Sequence, residues 1–323
     1  MKLIIQIPCY NEEQTLPLVL RDLPKQVAGV DKIETLIIDD GSTDGTVRVA
    51  RELGVDYIVR FPNNRGLAKS FMAGLDAGLR LGADIIVNTD GDNQYYGGDI
   101  PSLVRPILEG KAEMVIGDRD TDSIAHFSRL KKRLQKTGSG VVRRASGSDV
   151  TDTTSGFRAY SRDAAMKMNV INEYTYTLET IIDAGNKKMG IANVKIRTNE
   201  KLRESRLFKS MWSYIKCSAG TIIRVYTSRK PFKIFLSMAL AFLVVGLIPA
   251  VRYLFFFFRG DRGGHVQSLI FASIFIMISV MLAVFGLLAD MLSTNRKVLD
   301  EALYRIKKLE YARDQADERE ERQ

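Results

Sequence analysis

The sequence predicts an α/β protein: a mostly parallel sheet with helices on both faces, then amphipathic helices, a transmembrane hairpin and a helical tail. Three observations carry that expectation. Apolar runs of strand length alternate with helix-length segments through residues 1–120, the pattern of a parallel sheet. Polar clusters stand at three strand ends, where open α/β sheets bind their ligands. Two later apolar runs, about 234–258 and 266–288, are each long enough to cross ~30 Å of hydrocarbon. The expected division is 1–205 for the catalytic domain, 206–232 for interfacial helices, 233–292 for the hairpin and 293–323 for the tail.

Leu3–Ile7 is a continuous apolar run, as expected of a central strand covered on both faces. Asn11, Glu12 and Glu13 would open a helix through about Val27, with acids in its first turn. Thr35–Ile38 is the second strand, and Ser42 or Asp44 would cap the helix after it. Val55–Arg60 is a short third strand. Leu67–Leu81 is a helix whose small residues suit close packing on a sheet. Asp84–Asn88 is a strand ending in Asp90-Gly91-Asp92-Asn93-Gln94; a helix near 100–108 and a strand at 113–116 follow.

Composition excludes several chemistries. Two cysteines and two histidines among 323 residues leave no material for a disulfide framework, a thiolate zinc site or a Ser-His-Asp triad. No Gly-x-Gly-x-x-Gly or P-loop pattern occurs. The N-terminal apolar run is too short for a signal peptide, so the catalytic half is expected in the cytoplasm. The net charge of +9 is concentrated from residue 129 onwards, which points to an anionic partner.

Asp90 and Asp92 offer two hard oxygen ligands one residue apart. That suits Mg²⁺ or Mn²⁺ held jointly by carboxylates and substrate phosphates, although an acidic turn has the same composition. Together with Pro8-Cys9-Tyr10-Asn11-Glu12 and Asp39-Asp40 they describe an acidic pocket with one aromatic, Tyr10. Bare phosphate is repelled there, so a divalent cation would have to bridge the pocket to a nucleotide.

The segments Pro8-x-Tyr10-Asn11-Glu12, Asp39-Asp40-x-Ser42-x-Asp44-Gly45-Thr46 and Asp90-x-Asp92-x-Gln94 resemble the inverting family 2 glycosyltransferases of GT-A (Rossmann-like) fold. More narrowly they resemble polyprenyl-phosphate glycosyltransferases, over about residues 1–230. The resemblance implies transfer of a sugar from a nucleoside diphosphate sugar, a UDP-sugar first, to a polyprenyl phosphate. Pro8, Tyr10, Glu12 and Asp40 would hold the nucleoside, and Asp90, Asp92 and Gln94 the metal on the donor diphosphate. Arg65 and Lys69 are candidates for the base or phosphate region, or are surface charges at a helix start. Asp92, Arg119 and Asp152 would form the catalytic set, Asp152 in Asp152-x-x-Ser155-Gly156-Phe157 as a positioning group first and a base second. Arg119, Arg129, Lys132, Arg133 and Ser155 would meet the acceptor phosphate. The family's Arg-x-x-Gly-x-Ser-[Lys/Arg] segment matches only in part, because Glu200 and Arg203 stand where its Arg and Gly would be. Arg203, then Arg206, are the candidates for the diphosphate. A processive or other-acceptor family 2 enzyme and a non-catalytic membrane scaffold are the alternatives. The only tryptophan, Trp212, is not in a Gln-x-x-Arg-Trp motif, which counts against a processive synthase.

The basic segment after Arg119 interleaves Phe127, Leu130 and Leu134 with its charges, which favours a lipid surface over a solvated helix. No reading motif accompanies the charge, so nucleic acid is not an expected partner. Basic residues flank the hairpin on both sides, placing both termini in the cytoplasm of a multi-pass inner-membrane protein. Val298, Ala302, Ile306 and Leu309 form a helical stripe that is either a solvated extension or a short coiled coil; a homo-oligomer is expected.

Overall fold

The structure, a computed structural model, describes residues 1–119, 147–171, 176–200, 231–260 and 266–320, with residues 140, 143 and 220. These residues form two compact units, Met1–Ile222 with Leu303–Gln323, and Ile223–Ala302.

The first unit begins with β1 (Lys2–Cys9), α1 (Leu16–Arg21), β2 (Lys32–Asp39), α2 (Thr46–Glu52), β3 (Tyr57–Arg60), α3 (Leu67–Arg80) and β4 (Ile85–Asn88). It continues with α4 (Ile100–Leu108), β5 (Met114–Asp118), β6 (Arg158–Ser161), α5 (Arg162–Lys167), α6 (Thr177–Asn186) and β7 (Ile191–Lys195). The sheet order is β3-β2-β1-β4-β6-β5-β7. All pairs are parallel except those of β6, which runs antiparallel to both β4 and β5. The expected mostly parallel sheet is therefore present, with one reversed strand inserted.

Side chains alternate across a strand, so the two faces of β1 read differently. Leu3, Ile5 and Ile7 join Leu16, Val19, Ala50, Leu103 and Val104 of α1, α2 and α4 in one core. Ile4 and Gln6 turn to the other face, where α3 packs on β1 and β2 and lies beside α5. Full burial of both faces explains why the central strands are apolar apart from Gln6 and Asn88, whose side chains hydrogen-bond to each other at 2.8 Å.

One helix is shorter than expected. Asn11 has φ 56°, a left-handed backbone, so the chain cannot enter a helix there, and α1 begins only at Leu16. Glu12 and Glu13 consequently lie in a loop and not in a helical first turn.

The end of the chain joins this unit. Residues 303–314, in the last part of α8 (Val266–Glu320), pack on α3 and α5. Tyr311 donates to Asp76 at 2.6 Å, Tyr304 donates to Asp163 at 2.6 Å, and Arg80 pairs with Glu310 at 2.5 Å and Asp314 at 2.9 Å. The contact face carries Tyr304 and Tyr311, whereas Ile306 and Leu309 of the apolar stripe stay exposed.

The second unit holds α7 (Pro231–Phe258) and the apolar part of α8. Both are long and apolar enough to cross a membrane, and their most apolar windows are only 11% and 17% buried. Core helices of a soluble domain would be covered, so these two mark a membrane protein. Ser279 donates to the Ala239 carbonyl at 2.7 Å and the Phe242 and Phe275 rings lie 5.9 Å apart, so the helices form a packed hairpin. Residues 206–219 and 221–230, expected to be interfacial helices, lie outside the described residues.

Candidate active site

The carboxyl ends of β1, β2 and β4 converge, and loop-to-loop hydrogen bonds hold them in register. The Asn11 N–H donates to the Ser42 hydroxyl at 2.9 Å, and the Asn11 side-chain oxygen accepts the Thr43 N–H at 2.8 Å. The Glu12 N–H donates to the Thr46 hydroxyl at 2.8 Å, and Glu13 accepts the Gly45 N–H at 3.1 Å. The polar cluster after β1 thus caps the β2–α2 turn, which is why it is not helical. Pro8 is buried at the strand end, while Tyr10 is 38% exposed above it.

Asp40 is buried, and its carboxylate accepts the N–H groups of Arg65 at 2.7 Å and Gly66 at 3.0 Å. It fixes the loop that leads into α3. The exposed Arg65 guanidinium lies 4.9 Å from the Phe61 ring centre. Both residues, with Lys69, Met72 and Ile171, line a cavity of about 370 Å³ at the start of α3.

Asp90 and Asp92 follow β4. A Cβ on Gly91 would stand 3.0 Å from the Cys9 sulfur and 3.2 Å from Glu12 Cγ. Glycine there lets the turn lie close against the end of β1. Thr15 ties the turn down: its hydroxyl lies 2.7 Å from both the Gly91 carbonyl and a Glu12 carboxylate oxygen, with one proton to serve either acceptor. Asp92 accepts the Gln94 N–H at 3.1 Å, which gives Asn93 a left-handed φ of 58°. Burial and the Asp92 carboxylate push Asp90 well above the usual carboxylate range; Arg119 and Arg158 pull it back and Glu12 adds to the rise. Two crowded hard-oxygen anions are a donor set that a divalent cation would relieve, so the residues present fit Mg²⁺ or Mn²⁺.

Arg119 and Asp152 form an almost buried pair, 11% and 1% exposed. Arg119 Nε reaches one carboxylate oxygen at 2.7 Å and Nη2 the other at 3.0 Å, and Nη2 also reaches the Thr154 hydroxyl at 2.6 Å. Burial disfavours the Asp152 charge, but Arg119 and the Thr154 hydrogen bonds outweigh it and hold the carboxyl below its usual range. A carboxylate so held is a poor base. Ser155, expected at the acceptor phosphate, is fully buried with its hydroxyl unpartnered, and its N–H donates to Asp152 at 3.2 Å. The tight turn after Asp152 points it inward and corrects that expectation. A Cβ on Gly156 would lie 2.9 Å from the Asp90 carboxylate, so the 152–156 turn abuts the Asp90–Asp92 loop directly.

Arg129, Lys132, Arg133, Arg203 and Arg206 lie outside the described residues. The segment leading to the last two is tied to the Asp90–Asp92 loop. The Asn199 N–H donates to the Gln94 carbonyl at 2.9 Å, its side chain donates to the Asn93 carbonyl at 3.1 Å, and Arg197 is paired with Asp99 at 2.6 Å.

Sequence reading missed four residues around the site. Tyr95 accepts the Gly156 N–H at 2.8 Å, and burial pushes its phenol up to about 12. Asn88 donates to the Gly156 carbonyl at 2.9 Å and to the Tyr176 hydroxyl at 2.8 Å. Arg158, discussed below, is fully buried. A polar Asn ending an apolar strand and an Arg in a strand-length stretch were the available signals; nothing marked Tyr95 or Tyr176.

Residues 4–168 match the family described as Glycosyl transferase family 2. The chain is 31% identical over 216 residues to a UDP-N-acetylglucosamine–dolichyl-phosphate N-acetylglucosaminyltransferase of Methanococcus voltae, covering 59% of this chain and 83% of that one. It is 30% identical over 219 residues to an undecaprenyl-phosphate mannosyltransferase of Micrococcus luteus, covering 64% and 88%. Among solved structures, glucosyl-3-phosphoglycerate synthase of Mycobacterium tuberculosis, in complex with Mn²⁺, UDP-glucose and phosphoglyceric acid, shares the fold. Its TM-score is 0.56 at 22% identity over 70% of this chain and 79% of that one. The strand-end clusters, the sheet that brings them together and these matches make the chain a member of the family 2 glycosyltransferases.

Proposed function

We propose that the protein transfers a sugar from a nucleoside diphosphate sugar, a UDP-sugar first, to a polyprenyl phosphate at the cytoplasmic face of the membrane. One observation carries this reading: the Gly156 turn sets the Asp90 carboxylate beside the turn that holds the Arg119–Asp152 pair. A cation-seeking pair of carboxylates thus adjoins an oriented guanidinium, an arrangement that suits two phosphate-bearing substrates. The lipid acceptors in the names of the two relatives and the apolar hairpin support the choice of a lipid phosphate.

Asp90, Asp92 and Gln94 would hold Mg²⁺ or Mn²⁺, which supplies charge stabilisation to the departing diphosphate. Among the described residues no third His, Cys, Asp or Glu joins the two carboxylates, which leaves ligand positions for phosphate oxygens. Pro8, Tyr10 and Glu12 line the nucleoside side, and Asp40 acts there by fixing the Arg65 loop. Arg119, held by Asp152 through Nε and Nη2, has Nη1 to direct at the acceptor phosphate. Arg129, Lys132 and Arg133 would add to that charge, and Arg203 or Arg206 would meet the diphosphate.

The reaction is a single displacement. An acceptor phosphate oxygen forms the bond to the anomeric carbon as the bond to the diphosphate oxygen breaks, and that oxygen leaves with the electron pair. The second pKa of a phosphate monoester is about 6, so the nucleophile is already ionised at neutral pH. Asp152 is therefore a positioning group and no strong base is needed.

The test is product formation by the purified full chain in detergent. Undecaprenyl or dolichyl phosphate would be offered with a panel of UDP- and GDP-sugars and Mn²⁺ or Mg²⁺. A lipid-linked sugar from one donor, abolished by chelator and reduced at least ~100-fold by Asp92→Ala, is expected. Nucleotide binding without any lipid product would overturn the acceptor assignment.

A further inference from the structure

We propose that Arg158 is the positioning residue that sets Arg119 for the acceptor phosphate; this rests on the reading of Arg119 given above. Arg158 is fully buried, with no exposed side-chain area. Four of its five N–H groups are hydrogen-bonded, and every acceptor is neutral. Nε donates to the Ser155 carbonyl at 2.7 Å and Nη2 to the Thr153 carbonyl at 3.2 Å. Nη1 donates to the Thr177 carbonyl at 2.8 Å and to the Thr180 hydroxyl at 2.6 Å. No carboxylate among the described residues forms an ion pair with it, although its charge acts on Asp90 from beyond ion-pair distance.

A buried cation without a paired anion is expensive to keep. Neutral donors could tie α6 to β6 at lower cost. What the guanidinium supplies is a rigid fork that reaches two carbonyls of one turn and the first turn of a helix at once. That turn is residues 152–156. On its far side, Asp152 accepts the N–H groups of Thr154 and Ser155 and grips Arg119. Thr154, whose neighbouring carbonyls are the ones Arg158 holds, accepts from Arg119 with its hydroxyl. The path from Arg158 to Arg119 is therefore one turn of chain with hydrogen bonds on both sides. The nucleoside side is built on β1, β2 and the Arg65 loop and is held by its own hydrogen bonds, so binding of UDP without metal should survive loosening of the turn, whereas Asp90, which abuts Gly156, would feel it.

The experiment uses the full chain in detergent and reads three quantities: melting temperature, affinity for UDP without metal, and affinity for inorganic phosphate of the protein saturated with UDP and Mn²⁺. Arg158→Gln should weaken phosphate binding at least ~10-fold and leave metal-free UDP affinity within ~2-fold. Arg158→Lys, which keeps the charge and up to three donors, should fall between Gln and wild type. Thr180→Val removes one acceptor and should give a smaller loss in the same direction, which keeps the test valid if Arg158→Gln does not fold. Leu103→Ala, in the core of the other sheet face, serves as the control for simple destabilisation: it should lower the melting temperature and move neither affinity. In turnover with a lipid acceptor, the same variants should raise the acceptor KM more than they lower kcat. Parallel loss of metal-free UDP and phosphate binding, unchanged phosphate binding, or a loaded wild type that binds no phosphate would each overturn the proposal. Wild type that binds phosphate in this way yet makes no lipid-linked product would instead sink the acceptor assignment alone.

Discussion

Asp152 and Arg119 have different stakes at different pH. Asp152 titrates below the usual carboxylate range, because Arg119 and the Thr154 hydrogen bonds outweigh the effect of burial. A group with a depressed native value stabilises the fold fully above its unfolded value, near 4, and that contribution is lost as pH falls through the native value. Asp152→Asn leaves a nearly buried guanidinium unpaired and should cost about 3 kcal/mol at neutral pH. Thermal unfolding of wild type and Asp152→Asn should therefore show a constant gap from pH 7 to about 5 that narrows below about 4. A gap that widens on acidification would mean that Asp152 is not the ionised partner of Arg119.

At the level of elements, the last part of α8 is a structural member of the catalytic unit. Tyr311 is 1% exposed and sits between Asp76 and Arg80 of α3, with its ring 5.5 Å from the guanidinium. Its hydroxyl bond to Asp76 and its buried ring are separable. Tyr311→Phe removes one hydrogen bond, about 1 kcal/mol, whereas Tyr311→Ala also leaves a cavity and should cost about 3 kcal/mol or more. Denaturant unfolding followed by a probe of the sheet domain measures both. If neither variant changes stability, the tail does not contribute to that domain. The exposed Ile306 and Leu309 lie off this contact face, so a stripe of apolar residues was a poorer guide to packing than two tyrosines with acid partners.

For the molecule as a whole, the prediction concerns sidedness. With basic residues flanking the hairpin at Arg229, Lys230 and Lys233 and again at Arg296 and Lys297, both ends should face the cytoplasm and the tip should face out. In a Cys217→Ser background, with Cys9 shielded by burial, a membrane-impermeant maleimide should label Gly260→Cys in intact cells. Glu318→Cys should label only after permeabilisation. The reverse pattern would place the nucleotide-sugar site on the side where no such donor is made.

Much was legible in the sequence because it depends on local order. Alternating apolar runs set the strands of the sheet, two long apolar runs set the hairpin, and the order of residues in Asp90-x-Asp92-x-Gln94 put two carboxylates beside a strand end. These follow from side-chain periodicity and from which residues a strand end can carry. The failures have one cause, contact between segments far apart in the chain. Asn11 and Glu12 read as a helix start, but bonds to Ser42, Thr43 and Thr46 hold them in a loop. Ser155 read as a phosphate ligand, but the turn that serves Asp152 turns it inward. Arg158 and Tyr95 carry no motif of their own and gain their roles only when β6 inserts beside β4 and brings the 152–156 turn to the Asp90–Asp92 loop. Sequence by itself determined which side chains stand at the strand ends. Only the tertiary structure decided which of them face the cleft and which lie beneath it, because burial and partner geometry are set by pairing across the sheet.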